Sequence, residues 1–168
     1  MQPDFSALFR RDKVTPLHFR VRLGPCDVHD LHFLSSYLHD ARFKPDAVNL
    51  RGKRLTIDFE RDCWELGHTE HNRFCELHIA KSCLSVTPVS NIRWEAANIL
   101  PADGELWLEK IYFGAAHWEI GNATEVVLSA PHAGWKLAIS AAKEFKTFRL
   151  DDKETPYLYS RRKHRRKS

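Results

Sequence analysis

Hydrophobic and polar positions alternate along much of this chain. Between Leu17 and Leu23, the residues Leu17, Phe19, Val21 and Leu23 fall on one side, and His18, Arg20 and Arg22 on the other. That period of two is the mark of a half-buried strand. Gly24-Pro25 ends it, and the period then lengthens. Val28, Leu31, Leu34, Leu38 and Ala41 recur at helical spacing, with His29, His32 and Ser36 on the opposite, wet side. Asp27 suits the N-cap, where a carboxylate accepts from the free amides of the first turn. A helix is predicted over about residues 28–39, the only one the pattern supports.

Alternation then returns. Residues 42–50 lead into a turn at Arg51-Gly52-Lys53, after which Leu55, Ile57 and Phe59 alternate against Arg54, Thr56, Asp58 and Glu60. Glycine in the turn supplies the positive φ that tight hairpins require. Further strands are predicted at about 73–80, 83–89, 91–95, 105–113, 124–130 and 134–140. On the 105–113 strand, Trp107, Glu109, Ile111 and Phe113 share one face, and Leu106, Leu108, Lys110 and Tyr112 the other. A central strand covered on both sides explains that pattern, and so does an exposed aromatic interface. From Leu137 to Leu150 the spacing of Ile139, Ala142, Phe145 and Phe148 suits a helix, while Phe148 and Leu150 alternate; strands are favoured. Many short strands with turn signals between them predict a mainly β (α+β) fold. The expected form is an antiparallel sandwich or open barrel-like sheet, with the one helix on a face or end.

Composition supports a folded chain. With 43% hydrophobic residues, 10 Phe and 5 Trp in 168 residues, it can bury a core without disulfides or metal. The length fits one domain, expected over residues 1–154. Charge divides the chain further. The net charge is +4, yet the run RRKHRRKS at 161–168 holds six Lys/Arg, and without it 20 basic face 22 acidic residues. A block of like charges repels itself and buries nothing, so residues 155–168 are expected to be a basic, disordered tail. The opening MQPDFSALFRRDKV lacks the charge order of a signal peptide, and no apolar run reaches the length of a membrane span. The expected location is cytoplasmic, away from any membrane, with Cys26, Cys63, Cys75 and Cys83 reduced.

Residues Tyr37 to Arg61 read YLHDARFKPDAVNLRGKRLTIDFER. This His-Asp-small step, strand, tight turn and alternating strand is similar to the openings of several small bacterial β-rich families, some of them immunity proteins that neutralise a toxin. The resemblance covers about a seventh of the chain. It implies a binding role rather than chemistry, and it carries no catalytic residues with it.

The candidate chemistry is sparse. Cys63, His68, His71 and Cys75 lie in the densest stretch of thiols and imidazoles, the ligand types zinc prefers. Their spacing departs from the paired-ligand patterns of zinc sites, and a core cysteine beside a solvated loop explains it equally. His29 and His32, three apart on the helix, could join His39 or a nearby Asp around a metal, or simply face water. His39-Asp40 suits a turn in which Asp bonds the backbone. His117-Trp118 and His132 with Trp135 place imidazole near indole in two segments that could line a site or be loops. No serine elbow, phosphate loop or dinucleotide fingerprint occurs. With no catalytic set in view, a non-enzymatic binding protein with a protein partner is the first expectation. A nucleic-acid or ribosome-associated protein is the second, with Arg161, Arg162, Lys163, Arg165, Arg166 and Lys167 as phosphate contacts and the His18–Arg20–Arg22 strand face extending them. A metal-dependent enzyme built on the 63–83 region is the third.

Overall fold

The computed structural model describes residues 14–22, 28–70, 73–96, 104–114 and 124–162. It is mostly β, with antiparallel sheets that do not close into a barrel. The strands are β1 His18–Arg20, β2 Arg42–Phe43, β3 Val48–Arg51, β4 Arg54–Asp62, β5 His68–Glu70, β6 Phe74–Thr87, β7 Asn91–Ala96, β8 Leu106–Trp107, β9 Lys110–Phe113, β10 Glu125–Ala130, β11 Trp135–Ser140, β12 Thr147–Asp152 and β13 Tyr157–Arg162. One α-helix, α1, spans Val28–Tyr37. The predicted helix thus forms, ending two residues early, while Asp27 lies outside the described residues.

β6 is the spine of the larger sheet. Its 14 residues were expected as two strands but run unbroken. One edge pairs with β4 and β5, the other with β12 and β13. β1 continues the sheet beyond β12, and β3, β2 and β8 continue it beyond β4, giving nine strands. β13 departs from the tail expectation: residues 157–162 bond to β6 from Ile79 to Phe74. The smaller sheet has the order β7-β11-β10-β9.

Alternation decides which side of each strand is dry. Leu55, Ile57 and Phe59 of β4, Leu84 and Val86 of β6, and Phe148 and Leu150 of β12 point inward. They meet Val126, Leu128, Leu137 and Ile139 of the smaller sheet, Leu31 and Leu34 of α1, and Leu38 just after it, in one continuous core. Trp135, Trp94, Phe43 and Phe59 pack there as an aromatic group, with Phe43 and Phe59 centroids 5.0 Å apart. Asp40 ends the helical turn at a φ of 61°, a left-handed conformation that Asp tolerates better than most residues.

The predicted 105–113 strand divides in two. β8 pairs with β2 in the larger sheet, and β9 pairs with β10 in the smaller one. At the crossing, the Leu108 amide donates to the Ala41 carbonyl and the Glu109 amide to the Ser129 carbonyl. The two residues that change sheets shift the side-chain phase. Leu106 and Leu108 are therefore buried together with Ile111 and Phe113, and Trp107 is left exposed.

Candidate nucleic-acid interface

The outer face of the nine-stranded sheet gathers cations at one end. Antiparallel partners that stand opposite one another project to the same side. Arg20 of β1 stands opposite Arg149 of β12, which stands opposite Ser85 of β6, itself opposite Thr56 of β4 and then Asn49 of β3. The next row carries Thr147 opposite Thr87, with Arg51 opposite Arg54 at the hairpin between β3 and β4. Gly52 makes that hairpin tight, at φ 60° in the first turn position. All four arginines are exposed, and the Ser and Thr hydroxyls between them are half-buried.

Two pairs of like charges directly opposed on one face are unfavourable for the sheet by itself. Arg149 is offset by Asp151, Nε to carboxylate 3.0 Å. No carboxylate among the described residues pairs with Arg20, Arg51 or Arg54. The middle of the face is neutralised internally. Lys153 holds Asp58 at 2.6 Å, and His18 Nδ1 lies 2.8 Å from Asp151. The Lys153 ammonium is raised above the ordinary lysine range by its bond to Asp58.

Toward the other end, Tyr157 and Tyr159 of β13 stand opposite Ile79 and Leu77. Both rings are 44% exposed, although the residues they face are buried. Trp107, also 44% exposed, lies on the same side of the sheet, under the Arg42 guanidinium at 5.1 Å. Arg42 is held against that ring by Asp62 at 2.9 Å and Glu60 at 3.2 Å.

The opposite, core-facing side carries the most buried charge. The row Leu55, Ile57, Phe59 continues to Arg61, which is fully buried. Its Nε donates to Asp152 at 2.9 Å and to Ser82 at 3.1 Å, and its terminal nitrogens donate to Asp152 and both oxygens of Glu65. Asp152 also accepts from Ser82 Oγ at 2.6 Å and from the Leu17 amide at 2.8 Å. Burial alone would lower the Arg61 pKa, but the bonds from Asp152 and Glu65 outweigh it and raise it. Burial would likewise lift Asp152, yet Arg61, Ser82 and Leu17 hold its carboxyl below the ordinary value. The group ties β4, β6, β12 and the approach to β1 together, with Arg61 and Asp152 both buried.

Beyond it, a cleft of about 460 Å³ opens between Glu65, Leu66, His68, Glu76, His78 and Leu158. Among the described residues, no group of three His, Cys, Asp or Glu side chains converges for a metal. Of the zinc set read from the sequence, Cys63 is fully buried, His68 is exposed, Cys75 is half-buried opposite Glu70, and His71 lies outside the described residues. Burial pushes the Cys63 thiol up to about 12, against the pull of Arg61, so it resists becoming the thiolate that zinc takes. His29 and His32 are exposed on α1, with Asp30 turned inward to the Arg22 amide at 2.8 Å. His39 Nδ1 sits 3.1 Å from Asp40, while the His39 carbonyl accepts from Trp64 Nε1. His132 pairs with Glu109 at 2.9 Å, Trp135 is in the core, and His117-Trp118 lies outside the described residues.

Of the tail cations, Arg161 and Arg162 end β13 opposite Cys75 and Phe74; Lys163, Arg165, Arg166 and Lys167 lie outside the described residues. The sequence singled out Arg20 but not its neighbours, because Arg51, Arg54 and Arg149 meet it only through strand pairing. Comparison with family models, with curated proteins and with solved structures finds no match to this chain. The likeness over Tyr37–Arg61 therefore stands on those residues alone.

Proposed function

We propose that this chain is a non-enzymatic binding protein whose ligand is nucleic acid, held on the outer face of the nine-stranded sheet. One observation carries the reading: Arg20, Arg51 and Arg54 are exposed, unpaired among the described residues, and set in directly opposed arginine pairs across a floor of hydroxyls. A phosphate backbone relieves that repulsion, and Ser and Thr hydroxyls add neutral donors to phosphate oxygens.

The test is fluorescence anisotropy with a labelled RNA of mixed sequence, at about 50 mM salt where phosphate contacts are strong. The wild-type chain should bind, and an Arg20→Ala/Arg54→Ala variant should bind more weakly with its salt dependence reduced by about 1.4 in slope. Polyglutamate is the control polyanion. No binding to RNA or DNA would falsify the reading. Capture of polyglutamate with equal strength would also overturn it, and would put an acidic protein partner in its place.

A further inference from the structure

Resting on that nucleic-acid reading, we infer that the ligand is a single strand, its bases stacking on Tyr157 and Tyr159 and its phosphates following β6 toward the arginine end. The two tyrosines occupy alternate positions of β13 and so project to one face, about 6.6 Å apart along the strand. Bases stacked in a duplex lie ~3.4 Å apart, so a ring inserted between two of them separates them to ~6.8 Å. The tyrosine spacing matches that opened interval. A single strand adopts it freely, whereas a duplex must first unstack and unpair.

Exposure agrees with this use. Tyr157 and Tyr159 each remain 44% exposed at the outer edge of the sheet, where nothing else among the described residues pairs with β13. Aromatic rings beside a cationic track are how single strands are held without sequence preference. The path length is set by β6. From Leu77, opposite Tyr159, to Thr87, beside the arginine hairpin, there are ten residue steps, which at ~3.3 Å each span ~33 Å. At ~6.8 Å per nucleotide that is about five intervals, or six nucleotides. The acids along the way, Asp62, Glu60, Asp58 and Asp151, are already paired: the first two with Arg42, Asp58 with Lys153, and Asp151 with His18 and Arg149.

The experiment compares oligothymidylates of about three, six, nine and twelve nucleotides with a duplex of about twelve base pairs. The proteins are wild type, Tyr157→Ala, Tyr159→Ala and the matching Tyr→Phe variants. Affinity for single strands should rise steeply up to about six nucleotides and exceed that for the duplex by about tenfold or more. Each Tyr→Ala change should weaken single-strand binding by about fivefold or more, and Tyr→Phe should restore it, because Phe keeps the stacking face. Far-ultraviolet circular dichroism of each variant separates a lost ring from a lost strand. If duplex and single strand bind alike and the Tyr→Ala variants bind as wild type, while Arg20→Ala/Arg54→Ala is weakened, the single-strand inference falls and the nucleic-acid reading stands. If neither form binds wild type at low salt, both fall.

Discussion

Asp152 shows how a single side chain can hold several strands and make the fold sensitive to acid. Its carboxylate accepts from Arg61, Ser82 and the Leu17 amide, and joins β4, β6, β12 and the approach to β1. Removing one partner of a buried ion pair leaves the other charge without compensation, at a cost of about 3–5 kcal/mol. Glu65 still neutralises Arg61 in an Asp152→Asn variant, so the lower end of that range applies. The native carboxyl is held below its ordinary pKa, so its contribution is fully present above the unfolded value of about 3.9 and is lost as pH falls through the native one. Urea unfolding of wild type and Asp152→Asn should therefore differ by about 3 kcal/mol at pH 7, with the gap closing only as pH falls below about 3.9 and through the lowered native value. A gap that stays constant down to the lowest pH at which wild type remains folded would show that shape, not charge, made the contribution.

Among the elements, β13 separates what composition expresses from what pairing adds. Read alone, residues 155–168 carry a cationic block that buries nothing, and the helix at 28–37 and the alternation of Leu55, Ile57 and Phe59 are legible in the same one-dimensional way. The placement of Tyr157–Arg162 is not, because its hydrogen bonds are made to Phe74–Ile79, far earlier in the chain. The arginine face was hidden for the same reason: Arg20 and Arg149 are neighbours only once β1 lies against β12. Arg61 was obscured differently, since its charge argues for an outward position that only Asp152, 91 residues later, reverses. The strand predicted at 105–113 failed because a change of sheet resets the phase without a glycine or proline to announce it. β13 yields a direct test. A chain ending at Arg162 should match the full chain in urea unfolding to within about 0.5 kcal/mol. A chain ending at Pro156 should lose about 2–4 kcal/mol, because Leu77 and Ile79 regain water and β6 loses one paired edge. Equal stability of the two shortened chains would mean that β13 docks without holding the sheet.

At the scale of the whole molecule, the distribution of charge matters more than its sum. Ending the chain at Arg162 removes four cations and leaves 22 basic against 22 acidic residues, a net charge of zero. A neutral protein gains nothing from net attraction, so any salt-dependent binding it retains must come from an asymmetric surface. At 0.1 M salt, charges act over about 10 Å, so a ligand senses the local charge of the face it meets rather than the sum. Each phosphate neutralised on a single strand contributes a slope of about −0.7 in the dependence of affinity on salt. Contacts from Arg20, Arg51, Arg54 and Arg149 would give the shortened chain a slope of about −3, and Lys163, Arg165, Arg166 and Lys167 would add up to about −3 more in the full chain. Anisotropy titrations from 50 to 300 mM salt on both chains measure the two contributions separately. A shortened chain that binds with a slope near −3 assigns the site to the sheet, with the tail strengthening and accelerating capture. A shortened chain that no longer binds assigns the whole affinity to the tail and leaves the opposed arginines as a solvated surface. In either case, the slope rather than the affinity at one salt concentration reports which cations touch phosphate.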